Sequence, residues 1–335
     1  MSSFFTFFFL KLITKGNYEN MEILTPDELK EKYTDAWITP YHEILTVTDN
    51  NEDKIELIEY HPCPVGSDWM ITQYQRTSPL ILEAKRDGNK HTYLVKKGKT
   101  TLDLKPSFCA AGIEEAIIDD DEIKIIHAGL AGAGVGAAFC RGKAAGVKRV
   151  EIFEKGGGSK VGKAAVVTPK LRKVIIGIDD TDIPTEGATW TLANNIATEI
   201  QDEKGYKYLE HITCQLYPNN PNKTKNCVSI ILVFAVKDED KEDLINSIKS
   251  KLKKDTLSEN TAFVVYDKLD IPQEVKNYGI EAKKSMKSFE EAEKIAKRNN
   301  IHIEYVTGKA GLIGALAAIG LYNSPEEYAK VYSDE

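Results

Sequence analysis

The chain has 335 residues, 42% hydrophobic and 28% charged, with a formal net charge of −7. That length suits two ordinary domains, and the composition excludes a disordered or fibrous chain. The acidic balance excludes a uniformly basic nucleic-acid surface and leaves only a local basic groove open.

Residues 1–20 carry a phenylalanine-rich run that is too short to cross a bilayer, which takes about 20 apolar residues. The run has no basic flank and no cleavage site. It is expected to be a non-native or disordered extension, with Met21 opening the folded chain and no membrane partner. Thr25-Pro26-Asp27-Glu28 then caps a helix predicted over residues 22–36. Strands are predicted at His42–Val47, Ile55–Glu59, Met70–Arg76, Leu80–Glu83 and Thr92–Val95, separated by Asp49-Asn50-Asn51 and Asp87-Gly88-Asn89. A helix is expected over 107–117. A strand Ile123–His127, a small-residue helix to about Lys143 and a strand Val147–Phe153 follow as a βαβ-like unit. Gly156-Gly157-Gly158-Ser159 reads as a flexible approach to a domain boundary closed by Pro169.

The pattern changes at Lys173–Ile178, an apolar run typical of a buried strand. A helix Thr189–Glu203, strands Leu209–Leu216 and Val228–Val236, and an amphipathic helix Asp240–Lys253 come next. Ala262–Tyr266 and His302–Val306 read as strands. Ser288 and Glu291 form a capping-box signature, and Leu312–Ile319 opens the last helix. The expected fold is α/β in the α+β sense, with two domains, 21–168 and 171–335, each a mixed sheet with flanking helices. The first has no assigned role. The five cysteines show no CxxC spacing, which disfavours a zinc ribbon. An odd, scattered set fits a reducing, cytoplasmic location.

The chemistry concentrates in Gly177-Ile178-Asp179-Asp180-Thr181-Asp182. Three carboxylates at the carboxyl end of a buried strand stand where open α/β sheets bind ligands. Magnesium binds through one or two carboxylates plus phosphate oxygens, which makes Asp179, Asp180 and Asp182 candidate metal ligands; a solvated acidic turn is the plainer reading. Gly187 and the helix start after it can offer N–H groups to a phosphate. Thr189 is either a phosphoryl acceptor or ligand, or an ordinary N-cap. In the polar loop, Asn222, Lys223, Thr224 and Lys225 are candidate phosphate or ribose contacts, as against a plain hairpin loop. Gly308-Lys309-Ala310-Gly311 offers Lys309 to an anion and Gly311 to a close backbone approach. Two N-terminal motifs are weaker. Gly132-x-Gly134-x-x-Ala137 outlines a dinucleotide fingerprint, yet close helix packing would demand the same small residues. Gly157-x-x-x-x-Gly162-Lys163 resembles a Walker A loop but has Ala164 where a hydroxyl should bind magnesium.

In order, Gly177 to Asp182, then Thr189, then Leu216-x-Pro218-x-x-Pro221-x-Lys223-Thr224-Lys225, then Gly311 to Gly320 resemble the kinase-like domain of archaeal 2-agmatinylcytidine synthetases. Those enzymes modify an isoleucine tRNA. The resemblance covers about residues 171–322. It implies that ATP and Mg2+ are used, that the acidic run, with Gly177 and Thr181, handles metal and phosphate, and that Thr189 matches a threonine that becomes phosphorylated. Ala310 stands where an arginine is usual, and Trp190 replaces a second threonine. That family continues into an RNA-binding OB-fold and a zinc module, whose cysteine spacing this sequence lacks. The whole chain, with Gly129 to Gly142 and Glu186-Gly187-Ala188-Thr189-Trp190, also resembles the methanogenesis marker protein 11 family. The function expected is ATP- and Mg2+-dependent phosphoryl transfer or ATP hydrolysis that activates an unidentified acceptor in a methanogen-specific process. That acceptor is a protein, an RNA or a small molecule. The alternatives are a nucleotide-binding assembly factor and a tRNA-modifying enzyme. Neither motif nor composition specifies an oligomeric state.

Overall fold

The computed structural model describes residues 21–35, 38–63 and 67–332, so the expectation for residues 1–20 lies outside the described residues. The chain divides into two compact units. One holds the residues up to Leu45 together with Ile58–Tyr93 and Gly98–Pro169; the other holds Thr46–Leu57, Leu94–Lys97 and the chain from Lys170. Two short segments of the N-terminal half therefore belong with the C-terminal unit.

The first half of the chain forms β1 (Glu22–Leu24), α1 (Pro26–Lys32), β2 (Ile44–Thr48), β3 (Lys54–Tyr60), α2 (Ser67–Thr77), β4 (Ile81–Asp87), β5 (Lys90–Lys96), β6 (Gly98–Lys99), β7 (Ala111–Ile118), β8 (Glu122–Leu130), α3 (Ala131–Val135), β9 (Arg149–Gly157) and β10 (Lys160–Pro169). The N-terminal unit is built on a six-stranded sheet in the order β1-β9-β10-β8-β7-β6. Thr25 caps α1 with Glu28 as the reciprocal partner, but residues 22–24, expected to be helical, instead pair antiparallel with β9. Two further expectations are corrected. Met70–Arg76 is helical within α2, which buries Met70, Ile71 and Tyr74, residues that share one helical face. Residues 111–118 are strand, because Ala111 to Ile118 pair antiparallel with β8. Short apolar runs do not by themselves separate a strand from a buried helix.

The βαβ-like unit is split. β10 lies between β8 and β9 and is antiparallel to both. The triple glycine ends β9 and enters the β9–β10 hairpin turn at Gly158-Ser159, with Gly156, Gly157 and Gly158 all at positive φ. A Cβ on Gly134 would stand 2.6 Å from the Gly129 carbonyl oxygen and 2.8 Å from the Gly162 nitrogen. Gly134, the second glycine of the outlined dinucleotide fingerprint, thus lets α3 lie directly on two strands, whereas a Cβ on Gly132 would meet nothing within 4 Å. The Walker-like glycine and lysine sit inside β10, where Lys163 pairs with Glu114 at 2.6 Å.

The C-terminal unit contains β11 (Leu171–Asp179), α4 (Thr189–Lys204), β12 (Lys207–Gln215), β13 (Val228–Val236), α5 (Lys241–Asp255), β14 (Ala262–Tyr266), α6 (Gln273–Glu281), α7 (Phe289–Arg298), β15 (His302–Tyr305), α8 (Leu312–Leu321) and α9 (Pro325–Tyr328). β11 is buried along its length up to Ile178 because strands flank both of its edges and helices cover both faces. It pairs antiparallel with β13 and β14, and its start runs parallel to Val47 and Thr48. Val174, Ile176 and Ile178 pack with α4 and α5 residues such as Ile196 and Leu244. The alternate residue Ile175 packs with Leu312, Ala315 and Leu316 of α8. That period-2 division is what a strand sandwiched between helices requires. Ser288 accepts from the Glu291 N–H, but the Glu291 carboxylate pairs with Lys287, so only half of the expected capping box is made.

Candidate functional site

The buried strand β11 delivers the acidic run to its own carboxyl end. Asp179 is its last residue, and Asp180 turns the chain at a positive φ of 62°. A non-glycine residue in that region is uncommon and marks a backbone held by its surroundings. The holding bonds are plain. The Asp180 N–H donates to Asp179 Oδ1 at 2.9 Å, and Thr261 Oγ1 donates to the Asp180 carbonyl at 2.7 Å. Thr256 Oγ1 and the Leu257 N–H both donate to the Thr181 carbonyl, at 3.1 and 2.9 Å.

Thr189 lies at the start of α4, but it does not cap that helix. Ala188 occupies the N-cap without a side-chain bond. The buried Thr189 hydroxyl instead accepts from Thr181 Oγ1 at 3.0 Å and from the Thr181 N–H at 3.3 Å, and donates to Asp182 Oδ1 at 3.3 Å. The other oxygen of Asp182 accepts from Thr224 Oγ1 at 3.1 Å. One carboxylate therefore ties the helix start to the polar loop. Gly187 turns the chain at φ 88°, where a Cβ would stand 3.0 Å from that of Asp182.

Asp179 lies against the start of α8. A Cβ on Gly314 would fall 1.7 Å from Asp179 Oδ2, so only glycine admits the carboxylate there. Burial and the neighbouring Asp180 charge push the Asp179 carboxyl well above the usual carboxylate range. Burial and the Asp182 charge raise Asp180 as well, against a hydrogen bond from Ser258. Among the described residues, no three His, Cys, Asp or Glu side chains form a ready metal cage.

A cleft at this strand end is lined by Asp179, Asp180 and Asp182, by Asn222, Lys223 and Thr224 of the polar loop, and by Gly314. Lys223 Nζ bonds the Pro218 carbonyl of its own loop. The remaining sequence candidates are not brought to the lining. Gly177 lies under α8, where a Cβ would be 2.2 Å from the Ala315 oxygen, and Gly311 has similarly close contacts with the Asp179 and Asn260 carbonyls. Lys309 sits over the Phe289 and Tyr305 rings at 5.6 and 5.9 Å. Lys225 is exposed on the loop. Conversely, Lys287 and Ser285 line the cleft from the segment between α6 and α7, although no local motif singles them out. Lys287 is held there by Glu281 at 2.5 Å and Glu291 at 3.2 Å. No described helix is long and apolar enough to cross a membrane.

Residues 175–241 match the family described as the TiaS TCKD domain. The 2-agmatinylcytidine synthetase TiaS of Thermococcus sibiricus, named for its isoleucine tRNA, is 31% identical over 151 residues, 44% of this chain and 35% of that protein. The same enzyme of Pyrococcus horikoshii is 29% identical over 149 residues, 43% of this chain and 35% of its own length. A crystal structure of TiaS in complex with its tRNA and ATP aligns with a TM-score of 0.40 and 25% identity, covering 44% of this chain and 36% of that one. The match thus spans about a third of the synthetases' length, and the C-terminal half of this chain is TiaS-like. The uncharacterized protein MJ0921 of Methanocaldococcus jannaschii is 53% identical over 281 residues, 84% of this chain and 93% of that protein. On that extent of identity, the chain belongs to the same family as MJ0921.

Proposed function

We propose that the C-terminal unit, from about residue 171 to the end, is a catalytic domain that binds ATP with magnesium and transfers the γ-phosphoryl group to activate an acceptor oxygen. The favoured acceptor is an RNA nucleoside. The observation that carries the proposal is the Thr189 hydroxyl, buried between Thr181 and Asp182 at the rim of the acidic run. A threonine that only capped a helix would have no need of that arrangement. The RNA acceptor is supported by the 31% identity to a tRNA-modifying synthetase.

In this reading Asp179 and Asp180 hold the metal. Their raised proton affinity is what two crowded, half-enclosed carboxylates show, and a divalent cation relieves it. Bound magnesium neutralises phosphate oxygens, which is most of what a phosphoryl-transfer site must supply. Lys223 leaves its loop carbonyl to meet phosphate, with Asn222 and Thr224 beside it. Thr189 Oγ1 attacks the γ-phosphorus as the bond to the β-phosphate oxygen breaks and ADP leaves. Its proton passes along the existing hydrogen bond to Asp182 Oδ1. The phosphoryl group then moves to the acceptor oxygen, and Thr189 regains its proton. Placement in a methanogen-specific process belongs to the same proposal.

The test is Thr189→Ala. The variant should keep most of the thermal shift caused by magnesium-ATP and lose turnover at least about a hundredfold, because the missing group acts mainly in the transition state. Peptide mass spectrometry of the wild type should find a phosphate on the peptide that begins α4. RNase treatment should abolish stimulation of ATP hydrolysis by a cell extract. Full turnover in Thr189→Ala with an unmodified peptide would remove the phosphothreonine step. Stimulation that survives RNase would assign a protein or small-molecule acceptor. ATP binding with no turnover under any condition would leave a nucleotide-dependent assembly factor.

A further inference from the structure

The N-terminal unit encloses a second polar constellation, made by residues far apart in sequence. Arg141 is fully buried and grips Glu59, also fully buried, through Nε at 2.6 Å and Nη2 at 2.9 Å. The guanidinium lies over the Tyr41 ring at 4.7 Å and the Tyr74 ring at 4.9 Å. His127 Nε2 stands 4.0 Å from Glu59 Oε1, and His91 stacks on His61 with ring centroids 5.6 Å apart. Arg141, Glu59, Tyr74, His91 and His127 are wholly inaccessible, and Tyr41 is 4% exposed.

Six buried side-chain polar atoms have no hydrogen-bond partner among the described residues. Four of the six belong to this cluster: Tyr41 Oη, His91 Nε2, His127 Nε2 and Arg141 Nη1. Buried polar groups in folded proteins are nearly always satisfied, so such a concentration around one guanidinium requires a source of partners. The chemistry of the partner follows from proton bookkeeping. Burial holds the Tyr74 and Tyr93 hydroxyls protonated. Each lies against a histidine Nδ1, at 3.3 Å from His127 and 3.2 Å from His91. In the ring tautomer that accepts those O–H groups at Nδ1, the proton sits on Nε2. All four unpartnered atoms are then donors, one of them on a fixed cation. What they lack is an acceptor-rich group. The full burial of Arg141, His91 and His127 restricts that group to a small one.

We propose that this cluster is a buried binding site for a small oxyanion, a phosphate or a carboxylate group, held by Arg141 Nη1, Tyr41, His91 and His127. Glu59 already balances Arg141, so the bound anion is accompanied by a proton taken up at Nδ1 of one of the two histidines, where the facing tyrosine hydroxyl turns from donor to acceptor. Affinity should therefore rise as pH falls toward 6. Arginine presents planar donors suited to both oxyanions.

The test uses the full chain with inorganic phosphate and, separately, formate, each against chloride at equal ionic strength. At least one of the two should raise the melting temperature by about 3 °C or more at saturation. It should also move the His91 and His127 imidazole signals in nitrogen–proton NMR spectra. Tyr41→Phe should abolish most of that shift while matching or exceeding the wild-type melting temperature without anion, since it removes an unsatisfied hydroxyl without creating a cavity. A response to phosphate alone assigns a phosphate group, and a response to formate a carboxylate. If neither anion moves the imidazole signals, or if Tyr41→Phe responds as the wild type does, the oxyanion site is overturned and buried water supplies the acceptors.

Discussion

The two units treat buried polarity in opposite ways. In the C-terminal unit the polar groups at the end of β11 bond one another. Thr181, Thr189, Asp182 and Thr224 form a continuous chain of hydrogen bonds, and the backbone turn at Asp180 is held by Thr261. The carboxylates crowd at the rim of an open cleft, where a cation and phosphates can reach them. In the N-terminal unit the polar groups are sealed inside, ion-paired at the centre and unpartnered at the edge. The first arrangement is what a site needs if its ligands come and go. The second is stable only while something small and polar completes it, since each unsatisfied buried group costs about 1–3 kcal/mol.

The largest effect should come from splitting the sealed pair. Glu59→Ala leaves Arg141 charged and buried without its carboxylate, which typically costs about 3–5 kcal/mol. Thermal unfolding should show the N-terminal unit melting well below the wild type. An unchanged transition would show that Arg141 is solvated and that the cluster is not closed. Gly314→Ala is the corresponding break in the open site. The new Cβ would collide with Asp179 Oδ2, so overpacking should cost about 1–3 kcal/mol and push the carboxylate away. The shift caused by magnesium-ATP should then shrink. A full shift would show that Asp179 is dispensable for nucleotide binding.

A smaller effect follows from pH. Burial lowers the His91 pKa to about 4, with Glu59, His61, Arg141 and Arg86 as its charged and titratable neighbours. Burial and Arg141 lower His127 well below its ordinary range, and Tyr74 and Glu59 also face that ring. Both are neutral in the folded state at pH 6.5, while their unfolded counterparts begin to protonate there. The unfolded chain then binds more protons, so stability falls with decreasing pH below about 6.5 and is flat with respect to these groups above it. Well below 6.5 each histidine contributes a slope of about 1.4 kcal/mol per pH unit, continuing for His91 until pH nears 4. Denaturant melts from pH 7.5 to 5 should show the loss, and His91→Gln should flatten it. Saturating phosphate should also reduce the slope if the oxyanion site exists.

The difference between the units also governs how much the sequence revealed. The β11 run, the acidic turn and Thr189 lie within nineteen consecutive residues, Leu171 to Thr189, and the strand-then-carboxylate order announces its own chemistry. The sealed cluster carries no such signal. Glu59, His91, His127 and Arg141 are each single residues in ordinary strands or a small-residue helix, brought together only by packing in the folded unit. Lys287 is hidden for the same reason, since it enters the cleft from a segment 105 positions after Asp182. Secondary structure is illegible where apolar runs are short. Residues 70–76 satisfy a strand pattern and a helix face equally, and residues 111–118 show their strand character only through β8.

The smallest effect concerns two lysines that the sequence offers to phosphate, Lys223 ahead of Lys309. Lys223 and Lys309 both follow the polar or glycine-containing turns that border the acidic run, and both read as phosphate contacts. Lys223 lines the cleft on a loop whose Thr224 bonds Asp182, so its ammonium needs only to leave the Pro218 carbonyl. Lys309, beside the lining residue Ala310 but not itself in the lining, is engaged by two aromatic rings. An exposed cation–π contact is worth about 0.5–1 kcal/mol. Lys309→Ala should therefore lower the melting temperature by about 1–3 °C and leave the ATP-induced shift intact. Lys223→Ala should do the reverse, with little change in intrinsic stability and an ATP affinity reduced about tenfold, as fits one charge-assisted phosphate contact of about 1.5 kcal/mol. The two substitutions remove the same charge, so a difference between them cannot arise from the overall field of the protein. If Lys309→Ala weakens ATP binding as much as Lys223→Ala does, the nucleotide extends past Ala310 to Lys309 and the cleft is larger than its present lining.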